Sequence, residues 1–348
     1  MQNLDNISIN FILSTARTGS TLLSSMLNMH PKIISPVEEQ FAYHLFEKYQ
    51  HVKLWNEETI NNYCNDFYLY NNGLLELQFG TRESLEASLI KNKSNLNVTN
   101  AIKLTYLNFY PNKNKSNVTT IVDKQLQFHY HITDLNTFYP NSKFIILTRD
   151  PRDNVYLKQK FFLKNNRKKD IYILAKSWDF VFRLILKKTK NINKNRILIV
   201  KYEDLVTNTE KELRNVCDFL SLKFDPSTLH YYETISAEFN TKINTLSQEK
   251  RNFYNSSIRS LTEKINPNKI NIWKKELTTD QSNLVWSICS DTALKYQYKA
   301  DGSNKIKYNN YKYLNYYKIF LFKKLLLQNV LKTLPISMRY YIKKIHFK

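Results

Sequence analysis

A chain of 348 residues with 42% hydrophobic and 14% aromatic content can bury the core of one large α/β domain, with or without a terminal extension, which excludes general disorder. Its net charge of +22, from 52 Lys and Arg against 30 Asp and Glu, favours anionic partners such as nucleotides, acidic glycans, nucleic acid or an anionic membrane face. The same balance also follows from a composition rich in Asn, Lys, Ile and Tyr throughout, so charge permits such partners without designating one.

The N-terminus, MQNLDNISIN, has no basic n-region or apolar h-region, so no secretory signal is expected. Nor is there a run of about 18 uncharged apolar residues to span a bilayer. Residues 7–13 form a short apolar, β-branched and aromatic run that suits a buried strand. A small polar turn, Ser14 to Thr21, contains Gly19, one of only 4 glycines. Leu22, Leu23, Met26 and Leu27 then recur at helical spacing. Two prolines, Pro31 and Pro36, bracket an extended piece, and Glu38, Glu39 and Gln40 open an apolar-periodic segment running through Phe41, Leu45, Phe46 and Tyr49. From Trp55 to Lys93 the pattern is helical and amphipathic, while 92–100 and 112–117 read as polar loops.

A second strand is expected at Thr119 to Asp123, ending in Lys124, and a crossover helix at Phe128 to Tyr139. The third strand, Lys143 to Thr148, ends in Arg149-Asp150-Pro151-Arg152-Asp153, and helices follow at 154–163 and 171–190. The fourth, Arg196 to Val200, ends in Lys201-Tyr202-Glu203-Asp204 before a helix at 209–220. Short apolar strands alternating with helices predict a parallel sheet covered on both faces. Arg17, Lys124, Arg149 and Tyr202 then fall just past consecutive strand ends, where open α/β sheets place their ligand crevice. The last forty residues interleave Tyr, Phe, Leu and Lys with almost no acid, a pattern compatible with an amphipathic extension that packs on the body or touches a membrane. Cys64, Cys217 and Cys289 are dispersed, without metal or CxxC spacing, which points to reduced thiols and a cytoplasmic setting.

Strand, Gly-containing turn and helix together make an anion site, because freed N–H groups at the helix start converge on the loop. Ser20 and Thr21 add hydroxyls, and Arg17 adds a fixed cation. The loop is not a Walker A motif, since Ser20 takes the place of the lysine and Ser14 that of the first glycine. It suits one phosphate and a second small anion better than a triphosphate.

The order TARTGSTLLSSMLNMHP, EE, DK, KFIILTRDPRDNVY, ILIVKYEDLVTNTEKELRNVCDFLSL and INIWKKELT resembles bacterial sulfotransferases and the related tyrosylprotein sulfotransferases, over roughly residues 7–278. The resemblance implies a P-loop-like three-layer α/β fold with a parallel sheet and helices on both faces, plus a helical C-terminal extension. It implies a sulfotransferase domain over 1–300, with a substrate-side helical insertion at about 52–117, and a basic aromatic extension over 301–348. The implied co-substrate is 3′-phosphoadenosine 5′-phosphosulfate (PAPS), with no metal. Carried onto this sequence, Arg17, Thr18, Gly19, Ser20 and Thr21 hold the 5′-phosphosulfate, Arg149 the 3′-phosphate, and Tyr202 lies against the adenine. Lys124 stabilises charge on the bridging oxygen, and Glu38 or Glu39 deprotonates the acceptor hydroxyl. Ser256 or Ser257, and Lys264 before Trp273, fall in the region that closes over the donor. Two positions depart from the pattern. Leu157 stands where a serine usually helps hold the 3′-phosphate, leaving Asn154, Lys158 or Lys160 as substitutes, and Gln125 follows Lys124 in place of an acidic residue or Thr.

The expected partner is therefore a hydroxyl-bearing acceptor, whether glycan, lipid, metabolite or tyrosine. No nucleic acid is expected, and peripheral membrane contact through the C-terminal extension stays open. Two other classes compete: a P-loop kinase using ATP, and a basic nucleic-acid or membrane-surface binding protein.

Overall fold

Five apolar runs pair as parallel strands: β1 (Ser8–Leu13), β2 (Ile33–Ile34), β3 (Thr120–Lys124), β4 (Phe144–Thr148) and β5 (Ile197–Lys201). Their spatial order is β2-β3-β1-β4-β5. The register sets Ile12 against Lys124 on one side and Ile145 on the other, and Thr148 against Lys201. All C-terminal strand ends therefore open on one edge of the sheet. The computed structural model describes residues 3–36, 41–70, 79–108, 118–164, 170–235 and 261–305, with single positions at 248, 251, 330, 334 and 338.

The helices that cover and extend the sheet are α1 (Ser20–Met29), α2 (Phe41–Tyr49), α3 (Glu57–Tyr70), α4 (Arg82–Lys91), α5 (Val98–Leu107) and α6 (Phe128–Phe138). Further along come α7 (Pro151–Lys164), α8 (Ile171–Thr189), α9 (Tyr202–Thr207), α10 (Thr209–Phe219), α11 (Trp273–Glu276) and α12 (Thr279–Ala293). On one face of the sheet Ile12, Val122, Ile145, Leu147 and Val200 pack against Leu23, Met26 and Leu27 of α1 and Leu213 and Val216 of α10. Each such fully buried aliphatic contributes about 1.5–3 kcal/mol. The other face is aromatic: Phe11 stacks on Phe144 at 5.8 Å and takes the ring of Phe128 edge-on at 5.2 Å.

The chain forms two compact units, Met1–Arg149 with Leu184–Ile270, and Asp150–Arg183 with Asn271–Lys348. The first contains the whole sheet. The second is centred on Arg152, which is 1% exposed. Its guanidinium meets Asp150 through Nε at 2.9 Å and Nη2 at 2.6 Å, and donates to the carbonyls of Lys299 and Ala300. Trp273 lies 3.9 Å from its Cζ and Trp286 5.0 Å. Asp153 accepts the backbone N–H groups of Asn271 and Trp273, both at 2.9 Å, and so pins the chain entering α11.

Several expectations need correcting. The sheet has five strands instead of four, because the Pro-bracketed piece at Ile33–Ile34 pairs with β3. The loop expected over 92–100 ends early: Asn97 accepts the Asn100 N–H at 2.9 Å, caps a helix, and α5 starts at Val98. Lys124 is the last residue of β3 and Tyr202 the first of α9, so neither is a loop residue. Helix α12 is not among the helices expected from the sequence. The loop expected over 112–117 lies outside the described residues, as does nearly all of the extension beyond 305. The three cysteines are free and buried. Among the described residues no helix is long and apolar enough to cross a membrane.

Candidate active site

The turn between β1 and α1 is held in an uncommon backbone shape. Arg17 has φ 66° and Gly19 φ 90°, both left-handed. That conformation costs a non-glycine residue roughly 1–2 kcal/mol, so Arg17 is kept there by its surroundings. The Thr18 hydroxyl donates to the Thr15 carbonyl at 2.7 Å and closes the turn. Gly19 is the N-cap of α1 and offers no side-chain cap, which leaves first-turn N–H groups for an anion. The Ser14 hydroxyl, 1% exposed at the end of β1, has no hydrogen-bond partner among the described residues.

From β3, fully buried Lys124 reaches Thr21 in that first turn, Nζ to Oγ1 at 3.2 Å. Its neighbour Asp123 points into the core, where its Oδ2 accepts the Tyr106 hydroxyl at 2.7 Å and its Oδ1 the Gln125 amide at 3.2 Å. Burial raises the Asp123 carboxyl to about 7 despite these two donors, and burial together with the Asp123 charge pushes the Tyr106 phenol well up. Gln125, a departure from the expected pattern, thus serves Asp123.

From β4 and β5 come Arg149 and Tyr202. The Arg149 Cζ lies 4.0 Å from the Tyr202 ring centroid, and its Nη2 donates to the Lys269 carbonyl. The Tyr202 ring also lies against the loop: a Cβ added at Gly19 would fall 2.4 Å from Cδ2 and 2.8 Å from Cε2. Four strand ends therefore converge in pairs, Lys124 with Thr21 and Arg149 with Tyr202 and Gly19.

A parallel sheet carrying this loop and these strand-end cations bears on family, and most of the sequence agrees. Residues 10–226 match the sulfotransferase family. The chain belongs to the sulfotransferase family. Protein-tyrosine sulfotransferase A of Caenorhabditis elegans is 21% identical over 242 residues, covering 66% of this chain and 53% of that protein. The protein-tyrosine sulfotransferase of Drosophila melanogaster is 22% identical over 229 residues, covering 65% and 40%. The chain thus spans about half the length, or less, of the curated relatives it matches. Among solved structures, the sulfotransferase domain of the Synechococcus PCC 7002 olefin synthase is similar with a TM-score of 0.50 at 21% identity, over 84% of this chain and 96% of that domain. That likeness speaks for the fold.

Not every sulfotransferase residue expected from sequence falls within these pairs. Glu38, Glu39, Ser256 and Ser257 lie outside the described residues. The segment leading to the two acids is anchored, however. Ser24 of α1 shares a hydrogen bond with the Ser35 hydroxyl at 2.9 Å, and Ser35 donates to the Val122 carbonyl at 2.8 Å and takes Asn28 Oδ1 on its N–H at 3.0 Å. Lys264 is exposed, its Nζ 5.6 Å from the Tyr232 ring centroid. In the second unit, Asn154 and Lys158 are buried on α7, Leu157 is half-buried and Lys160 exposed. His30, the C-cap of α1, has both ring nitrogens engaged, Nε2 with the Lys223 carbonyl at 2.9 Å and Nδ1 with the Lys32 N–H at 3.1 Å. The contact of Tyr202 with Gly19 and Arg149 is not expected from the sequence, because no local spacing states which strand ends are neighbours.

Proposed function

We propose that this chain transfers a sulfuryl group from PAPS to an acceptor hydroxyl. The observation that carries the reading is the Lys124–Thr21 contact at the first turn of α1, which brings a buried ammonium to an uncapped helix start lacking the Walker lysine. The donor set fits a phosphosulfate: N–H groups of α1, the Ser14, Ser20 and Thr21 hydroxyls, and the Arg17 cation. Arg149 provides a second anion point for the 3′-phosphate. When bound, the nucleotide supplies an activated sulfuryl group.

The chain's own residues then have three tasks. The loop holds and orients the anion, which turns a bimolecular encounter into a positioned one. Lys124 neutralises charge that grows on the oxygen leaving the sulfuryl group; removing one such donor costs about 3–4 kcal/mol of barrier lowering. Glu38 or Glu39 takes the acceptor proton, a contribution of about 10²–10⁴-fold. The Ser24–Ser35–Val122 bonds fix the chain three residues before Glu38 against α1 and β3, the elements that carry the loop and Lys124. The helices α3 to α5 shape the acceptor side, and the basic aromatic segment after 305 is the part suited to an anionic membrane surface.

The test is a thermal-shift comparison of adenosine 3′,5′-bisphosphate with ATP, GTP and NAD. The bisphosphate should stabilise the protein most, by mass action on its folded state. A larger shift with ATP overturns the reading in favour of a kinase-like loop.

A further inference from the structure

We infer that Tyr202 is a positioning residue: its ring is the spacer that holds Arg149 at a set distance from the anion loop, so that the two anion points match one ligand bearing two separated phosphates. The geometry is specific. One edge of the ring, Cδ2 and Cε2, occupies the space where any side chain at position 19 would begin. The ring also carries the Arg149 guanidinium, Cζ 4.0 Å from its centroid, as a cation–π pair. Tyr202 opens α9 directly after β5, and β5 is hydrogen-bonded to β4, whose next residue is Arg149. Loop and guanidinium therefore meet the same rigid body, and that body is fixed by the sheet.

This differs from a role as a nucleoside platform. Tyr202 is 6% exposed and Arg149 4%, so the ring is engaged by protein on the edge and toward the guanidinium. A platform touches the base and affects every adenine nucleotide alike. A spacer acts through Arg149 and affects only ligands with a phosphate at that point. The preference for adenosine 3′,5′-bisphosphate over adenosine 5′-phosphate is therefore the property Tyr202 controls.

The ligand arm of the test rests on the donor reading above; a second arm does not. In the first, the affinities of both nucleotides are measured for wild type, Tyr202→Phe, Tyr202→Leu, Arg149→Ala and the Tyr202→Leu/Arg149→Ala double variant. Tyr202→Leu should weaken bisphosphate binding about tenfold, the size of one desolvated cation–π contact, and adenosine 5′-phosphate binding by much less. Tyr202→Phe keeps the ring and should restore the preference. The two losses in the double variant should be less than additive. Equal losses for both nucleotides, or full additivity, overturn the proposal. In the second arm, phenylglyoxal labelling of Arg149 is followed by peptide mass mapping with no nucleotide present. Labelling should quicken about tenfold in Tyr202→Leu and stay at the wild-type rate in Tyr202→Phe, by the same contact. An unchanged rate in Tyr202→Leu overturns the spacer even if the protein proves to prefer another nucleotide. Should Tyr202→Leu fail to fold, Tyr202→His, with a smaller ring, takes its place in both arms.

Discussion

Arg149 and Arg152 stand three residues apart in the single motif Arg-Asp-Pro-Arg-Asp, yet they belong to different units and are held in different ways. Arg152 is gripped by a bidentate carboxylate, two backbone carbonyls and the Ser303 hydroxyl at 3.0 Å, with an indole against its face. Arg149 meets the face of Tyr202 and one carbonyl, at the edge where the strand ends open. Like residue types in one motif therefore sit in two different environments. What separates them is the company each guanidinium keeps: a carboxylate fork holds Arg152 by paired charge-assisted bonds, whereas Arg149 lies on an aromatic face.

The strongest way to break this comparison is Arg152→Ala. It strands the Asp150 carboxylate and empties the space beside Trp273, so stability should fall by about 3–5 kcal/mol in denaturant or thermal unfolding. Arg149→Ala should show the reverse profile. Its melting temperature should stay close to wild type, while bisphosphate affinity drops about 10- to 100-fold, the worth of charge-assisted bonds to a phosphate. Equal destabilisation by both variants would erase the distinction.

A smaller effect sharpens the contrast inside the first unit. The Asp123 carboxyl is raised from its ordinary 3.8 to about 7 by burial. Such a group contributes its full share to stability below its ordinary pKa and loses it as pH rises through about 7. Wild type should therefore lose melting temperature between about pH 4 and about pH 7, and Asp123→Asn should flatten that slope. An equally steep slope in the variant would show that other groups govern it. Smallest of all, Thr278→Ala in the second unit removes the cap of α12 and should cost about 1 kcal/mol, read by thermal unfolding.

The strands and their polar ends are legible because buried parallel strands read as largely apolar runs: Ile9, Ile121 and Ile145 announce the inner ones, and the half-exposed edge strand β5 is equally apolar in ILIV. A two-residue strand such as Ile33–Ile34 has too little length to show a pattern; pairing with Thr120 and Ile121 defines it. The Asn-rich stretch before α5 reads as a loop, but Asn is also a strong N-cap, and Asn97 plays that part. Thr278 and Gln281 make a capping box that was present in the sequence and went unread. Contacts across the sheet are another matter. That Arg149 meets Tyr202, and Tyr202 meets Gly19, depends on β4 lying beside both β1 and β5, and strand order is not written in any local spacing.

The left-handed backbone at Arg17 carries a consequence for engineering. A search that scores only thermal endurance is drawn to positions where a non-glycine residue sits at positive φ, because glycine or asparagine relieves the strain there. At position 17, with φ 66°, that search would trade the Arg17 cation for conformational ease. A hardier protein obtained this way is expected to bind adenosine 3′,5′-bisphosphate less well, read by the same affinity measurement. Thermostabilisation of this scaffold should therefore hold residues 14–21 fixed and look to the helices of the second unit.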